Sequence, residues 1–290
     1  MPADAGAKRM VHRWCGPRVV RLLAALSGLG LAACTGPDAA SFNGAVGLEH
    51  LRHGRPDLAV GRFDAAIARN PNDAAAYNNR GLAHAAIGQN SLALADFTNA
   101  ARLDPGKAEP FMNQSLVLRR MGDPAAAQQA ADAAVRLRPD LAGAYNNRAA
   151  AHSDLGQYGQ AIADYDQAIR ISPDDSLLYH NRCLCRLAQH SLDEALADCT
   201  RAAQLSPGSG AARGGRALAY LVARHPELAL PEYEVAAQLG PRDAAVLYGR
   251  GLAHLALSQP AAAERDFQAA RALNPAIAAT FTRYGLERPA

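Results

Sequence analysis

The sequence predicts an all-α solenoid of seven 34-residue helix–turn–helix units, and three observations predict it. The prolines Pro71, Pro105, Pro139, Pro173, Pro207, Pro241 and Pro275 lie 34 residues apart without one insertion. Two columns are alanine in every unit, from Ala59 to Ala263 and from Ala66 to Ala270. A third is always small: Gly47, Gly81, Ser115, Ala149, Cys183, Ala217 and Gly251. A fixed period of this length marks stacked supersecondary units, none of which buries its apolar face alone. Abundant alanine, with aromatics at only 6 %, favours closely packed helices over strands.

The chain opens differently. Residues 1–33 hold Lys8, Arg9, Arg13, Arg18 and Arg21 against Asp4 alone. The remainder carries 25 bases against 26 acids, so the formal charge of +3 belongs to this segment and the body offers no basic face for nucleic acid. After the bases comes an apolar run of 12 residues from Leu22 to Ala33, shorter than the ~20 an ordinary membrane span needs. It ends in "LAAC", Leu31 to Cys34. This succession resembles a bacterial lipoprotein signal with its lipobox. Met10 offers a second start that gives a signal of more ordinary length. The resemblance implies cleavage after Ala33, lipidation of Cys34 and stable membrane anchoring by its acyl chains. Thr35, rather than Asp, after the cysteine implies the outer membrane, facing the periplasm. Residues 34–39 are then a lipidated cysteine and short linker, reaching ~25 Å at most.

The units run 40–73, 74–107, 108–141, 142–175, 176–209, 210–243 and 244–277. Within one, "NSLALADFTNAARLDP" spaces Leu92, Ala93, Phe97, Ala100 and Ala101 along one helical face, and Pro105 stops the helix. Gly54, Gly88, Gly122 and Gly156 fall at the turn between paired helices, where a left-handed residue is needed. His190, Arg224 and Ser258 replace that glycine in the last three units. Pro56, Pro124, Pro226 and Pro260 fit the first turn of second helices. Pro231 falls inside a second helix, where its missing N–H and ring clash predict a kink. Residues 278–290 restart a first helix, with Phe281 and Leu286 in phase, and predict a C-terminal capping helix and tail.

The period and the order of aromatic, small, alanine and proline positions resemble the tetratricopeptide repeat (TPR) over about four-fifths of the chain. The resemblance implies a right-handed superhelix and a concave, first-helix face that binds proteins or peptides. By analogy that face takes the second, fifth, ninth, twelfth and thirteenth residue of each unit. In the C-terminal half these are nearly all apolar, and Leu177, His180, Leu187, Leu221, Val222, Tyr248 and Leu255 are the candidate partner-binding residues. Self-association of such faces into a homo-oligomer is the alternative, as is a cytoplasmic scaffold with a false signal.

The repeats also act as their own comparison set. Arg80, Arg148, Arg182, Arg216 and Arg250 occupy one column, and sixteen residues later stand Asp96, Asp164, Asp198, Glu232 and Asp266. The remaining units have neither partner: Val46 goes with Arg62 and Gln114 with Ala130. Positions that change together predict an ion pair joining the two helices of a unit. Asn79, Asn113, Asn147 and Asn181 read as structural amides bonding nearby backbone. In chaperone-binding TPR proteins this column joins a carboxylate clamp. The clamp also needs Lys or Arg at neighbouring groove positions, which here hold Gly44, Leu48, Glu109 and Asn113. The histidines His50, His84, His152 and His254 share another column, but helix axes ~8–10 Å apart do not converge on a metal with ligands at ~2.0–2.1 Å. They read as packed, half-polar residues, and no metal or cofactor is expected. Cys183 and Cys199 should face each other within the fifth unit, either as a disulfide in an oxidising compartment or as two small core thiols. No phosphate loop, nucleophile elbow or zinc-protease motif occurs, so no catalytic residues are assigned and an enzyme is not expected.

Overall fold

The same local rules build each helix pair. In the computed structural model, which describes residues 38–240 and 242–288, first helices are mostly 13 residues long and second helices 14. Asp73, Asp175, Ser209 and Asp243 cap first helices by accepting backbone N–H bonds at 2.8–3.2 Å. Prolines open four of the second helices.

The chain divides into two compact units at Pro105/Gly106, a break that the uninterrupted period does not announce. In the N-terminal unit, α1 (Asp38–Arg52) pairs with α2 (Pro56–Arg69) and α3 (Ala74–Ala86) with α4 (Asn90–Leu103). In the C-terminal unit the pairs are α5 (Ala108–Arg120) with α6 (Pro124–Leu137), and α7 (Ala142–Asp154) with α8 (Tyr158–Ile171). Then come α9 (Ser176–Ala188) with α10 (Leu192–Leu205), α11 (Gly210–Val222) with α12 (Pro226–Leu239), and α13 (Ala244–Ala256) with α14 (Pro260–Leu273). A last, six-residue α15 (Ile277–Thr282) packs on α13. Within each unit, every second helix packs on the next first helix, and first helices stack on one another.

The core of each pair is a size-matched plug. A Cβ at Gly47, Gly81 or Gly251 would come within 2.6–2.8 Å of the ring of Phe63, Phe97 or Phe267, sixteen residues on. Where the small residue is Ala149 or Ala217, the ring is a buried Tyr165 or Tyr233. Phenylalanine, tyrosine or their replacements at this column are all enclosed, so burial rather than hydrogen bonding sets the choice.

Turn geometry is kept where the sequence departs from glycine. His190, Arg224 and Ser258 have φ of 60°, 65° and 60°, against 65–81° at Gly54, Gly88, Gly122 and Gly156. Two backbone bonds hold the turn in both cases: Arg55 N–H to His50 O at 2.9 Å has its counterpart in Ser191 N–H to Arg186 O at 2.9 Å. Pro231 does not break its helix: α12 runs through it for the full 14 residues. The one lost bond would have gone to Glu227 in the exposed first turn, where a carbonyl can turn to water. The C-terminal cap begins at Ile277 and is shorter than a first helix, but it buries Phe281 and Tyr284.

Candidate protein-binding face

Each arginine of the paired column grips its own unit's acid, in four units with two nitrogens. Arg148 donates from Nε and Nη2 to the two oxygens of Asp164 at 2.8 and 2.7 Å. Arg80 meets Asp96 at 2.9 and 2.7 Å, Arg182 meets Asp198 at 2.8 and 2.6 Å, and Arg250 meets Asp266 at 2.8 and 2.6 Å. Arg216 bonds Glu232, which Arg213 also reaches at 3.2 Å. Hydrogen bonds donated to these acids hold the Arg80, Arg148 and Arg250 guanidinium groups above their usual range, so all stay charged.

The third guanidinium nitrogen makes a bond that the paired columns do not predict. Arg80 Nη1 reaches Asp64 at 2.7 Å, Arg148 Nη1 reaches Asp132 at 3.1 Å, and Arg182 Nη1 reaches Asp166 at 2.5 Å. Each of these acids lies sixteen residues before its arginine, on the preceding helix pair. The arginine therefore stitches pair to pair as well as helix to helix. Its face also lies over the tyrosine three residues earlier, at 5.4–5.6 Å from Tyr77, Tyr145 and Tyr179. The signal was in the sequence: Asp64, Asp132, Asp166 and Glu234 form an acidic column, in which Thr98 precedes the unit that lacks the arginine and Thr200 precedes Arg216.

The other polar columns are mostly internal too, with His50 Nδ1 buried and unpaired. His84, His152 and His254 bond the side chains of Gln89, Gln157 and Gln259 at 2.6–2.7 Å, with Nε2 3.8–3.9 Å from the clasp aspartate. Asn147 donates to the Met112 carbonyl of the preceding pair at 3.0 Å. Cys183 and Cys199 are joined by a disulfide with Cα atoms 5.5 Å apart. The bond fills the plug position that a ring fills in five of the other pairs, the third unit having Ala131 there. The neighbouring Cys185 thiol is buried, and burial pushes its pKa up, so it is a poor nucleophile.

The candidate partner-binding residues divide. Leu177 is 51 % exposed at the start of α9. His180, Val222 and Leu255 are half-buried. Leu187 and Leu221 are not on an open face: they are 0 % and 4 % exposed, inside the apolar cluster that runs from Cys183 to Tyr284. Each lies four residues after the internal small position, Cys183 or Ala217, and i, i+4 spacing puts it on that same inward side. Tyr248 is likewise buried, its ring 5.0 Å from Phe267 and 4.9 Å from Phe281. It precedes the internal Gly251 by three, the other spacing that shares a helical face.

What stays open is a cavity of about 160 Å³, lined by His180, Leu184, Leu218, Val246, Phe281 and Tyr284 among others. Sequence reasoning missed it, though a signal existed. Gly214 and Gly215 are adjacent in mid-α11, where glycine costs about 1 kcal/mol against alanine. Among the described residues there is no group of histidines, cysteines and acids able to hold a metal, and no helix is long and apolar enough to cross a membrane. Cys34 lies outside the described residues.

Models described as tetratricopeptide repeat match residues 46–108, 142–175 and 215–278, more than half of the sequence. The chain belongs to the tetratricopeptide repeat family. Among solved structures, a TPR protein from Parabacteroides merdae ATCC 43184 aligns with a TM-score of 0.70 at 17 % identity, covering 86 % of this chain and 99 % of that one. A thermophilic TPR protein of Thermus thermophilus gives 0.54 at 24 %, covering 63 % and 100 %. The APC/C hetero-tetramer Cut9–Hcn1 gives 0.68 at 16 %, covering 92 % and 58 %. At these identities the likeness shows the TPR fold alone. Among curated proteins, none matches the sequence.

Proposed function

We propose that this TPR array is a non-enzymatic scaffold that binds proteins or peptides at the bacterial envelope, held there by lipid on Cys34. The observation that carries the binding reading is the open first-helix face of the C-terminal unit. Leu177 is exposed there and an apolar cavity opens beside His180, while the polar columns are consumed internally. An apolar groove between rigid helices suits an extended or helical peptide segment. The anchor reading rests on the "LAAC" signal, and a buried disulfide is at home in an oxidising compartment outside the cytoplasm. The outer membrane follows from Thr35 and remains part of the proposal.

Crosslinking in cells, with identification of the captured protein, tests the binding reading. Leu177→Glu combined with Leu255→Glu should abolish a capture that the parent chain gives, with helicity unchanged. Capture that survives both substitutions rejects this face. Cys34→Ser should release the protein from membranes, and retention would reject the anchor. Light scattering separates the self-association reading, which a stable monomer sinks.

A further inference from the structure

Two side chains that line the cavity in the C-terminal unit each carry a polar atom that the fold leaves unpaired. His180 Nδ1 and the Tyr233 hydroxyl are both sealed from solvent and have no hydrogen-bond partner. Buried polar groups in native proteins are mostly bonded. His50 Nδ1, Asn90 Oδ1, Ser115 Oγ and Arg216 Nε are also unpaired, but only His180 and Tyr233 of this set line one cavity, where a single guest can satisfy both. Both side chains occupy room made by glycine. A Cβ at Gly215 would come within 2.7 Å of His180 Nδ1, and one at Gly249 would collide with the Tyr233 ring. Gly214 opens the adjoining wall, where a Cβ would approach Val246 to 3.1 Å.

Size and lining narrow the occupant. An apolar cavity of ~150 Å³ accepts a benzene ring, and this one measures about 160 Å³. Leu184, Leu218, Val246 and Phe281 supply apolar walls. Asp243, Thr280 and Tyr284 are the other polar side chains at the lining, and Asp243 commits one oxygen to the Ala245 and Val246 N–H groups of the α13 cap. Burial keeps the imidazole neutral, so one ring nitrogen accepts and the other donates.

We propose that this cavity is a pocket for one tyrosine side chain of a bound peptide. Its ring packs against Leu184, Leu218, Val246 and Phe281, and its phenol hydroxyl donates to His180 Nδ1 and accepts from the Tyr233 hydroxyl. A turn of the His180 ring about Cβ–Cγ aims Nδ1 at the guest, and a small χ1 change brings in the Tyr233 hydroxyl, whose oxygen lies on its own ring axis. Phenylalanine would fill the space but leave both orphans unpaired, and a site built to bond a hydroxyl discriminates against the analogue that lacks it. The proposal rests on the reading of this face as peptide-binding.

The side-chain mimics p-cresol and toluene test it on the full-length protein, with ¹⁵N resonances of Gly214, Gly215 and Gly249 and the His180 imidazole as readout. p-Cresol should shift these saturably and bind about tenfold tighter than toluene, the factor expected for one net hydrogen bond. Tyr233→Phe, which keeps the ring, and His180→Leu should each narrow that gap, while Gly214→Val should block both compounds. Equal binding of the two mimics, or no saturable shift at the glycines, overturns the pocket. If cresol fails while in-cell capture through Leu177 persists, the pocket falls and the scaffold reading stands. Cresol binding with no captured partner sinks the scaffold reading instead. Dimers that p-cresol dissociates would put a second copy's side chain in the pocket and overturn the peptide assignment.

Discussion

Arg148 bonds Asp132 at 3.1 Å across the seam between consecutive helix pairs, while its other two nitrogens hold Asp164. The two acids differ in exposure: the Asp132 side chain is about a third exposed and that of Asp164 is buried. Asp132→Ala should therefore cost under about 1 kcal/mol, as for exposed pairs. Arg148→Ala strands a buried carboxylate and should cost about 3–5 kcal/mol. Urea midpoints followed by circular dichroism would compare them, and equal losses would mean that the buried clasp is no stronger than the seam bond.

The disulfide stands where other pairs place a ring over a small residue. Cys199→Ala should cost about 3 kcal/mol, the value for closing a loop of this length, besides leaving a hole. The pair of changes Cys183→Gly and Cys199→Phe recreates the Gly81–Phe97 arrangement. It should recover most of the loss and make the melting temperature indifferent to dithiothreitol. Continued sensitivity to the reductant would reject the equivalence of the two plugs.

His190, Arg224 and Ser258 hold a left-handed backbone with exposed side chains. An L side chain costs about 1–2 kcal/mol there, and glycine gives back part of that gain as unfolded-state entropy. Each change to Gly should stabilise by a few tenths to about 1 kcal/mol, roughly additively given their separation. Thermal melts of the single and triple variants check this, and a triple variant that melts lower would contradict it.

Acid should find His180. Burial holds its folded-state pKa below the ordinary 6.5, with Asp243 opposing in part. Above pH 6.5 the ring is neutral folded or unfolded, so stability is flat with respect to this group. Below pH 6.5 the unfolded chain takes a proton that the folded chain refuses, and stability falls until the folded pKa is reached. His180→Gln should flatten the decline in urea midpoint that begins near pH 6.5. An unchanged slope would show that the imidazole titrates freely.

The period, the helix pairs, the turn positions and the arginine–acid clasp could all be read because they recur, and each unit checks the others. Leu187, Leu221 and Tyr248 could not be placed by column analogy, because a spacing of three or four from the internal position outweighs a family's usual facing. The seam bonds from Arg80, Arg148 and Arg182 were legible in the column of Asp64, Asp132 and Asp166, but only by comparing one unit with the next. The cavity depends on Gly214, Gly215 and the C-terminal Phe281 and Tyr284 meeting in space, and nothing periodic announces that.

The C-terminal unit holds its neighbouring pairs together by two different chemistries. From α5 to α9 the seams carry Arg148–Asp132 and Arg182–Asp166 over small apolar clusters. At the α10–α11 seam Thr200 takes the acid's place before Arg216, and although Glu234 returns before Arg250, one continuous apolar cluster runs to the C-terminal cap. Ionic contacts weaken as salt rises, and apolar contacts weaken on cooling. Within this unit, salt therefore bears more on the earlier seams and cold more on the later ones.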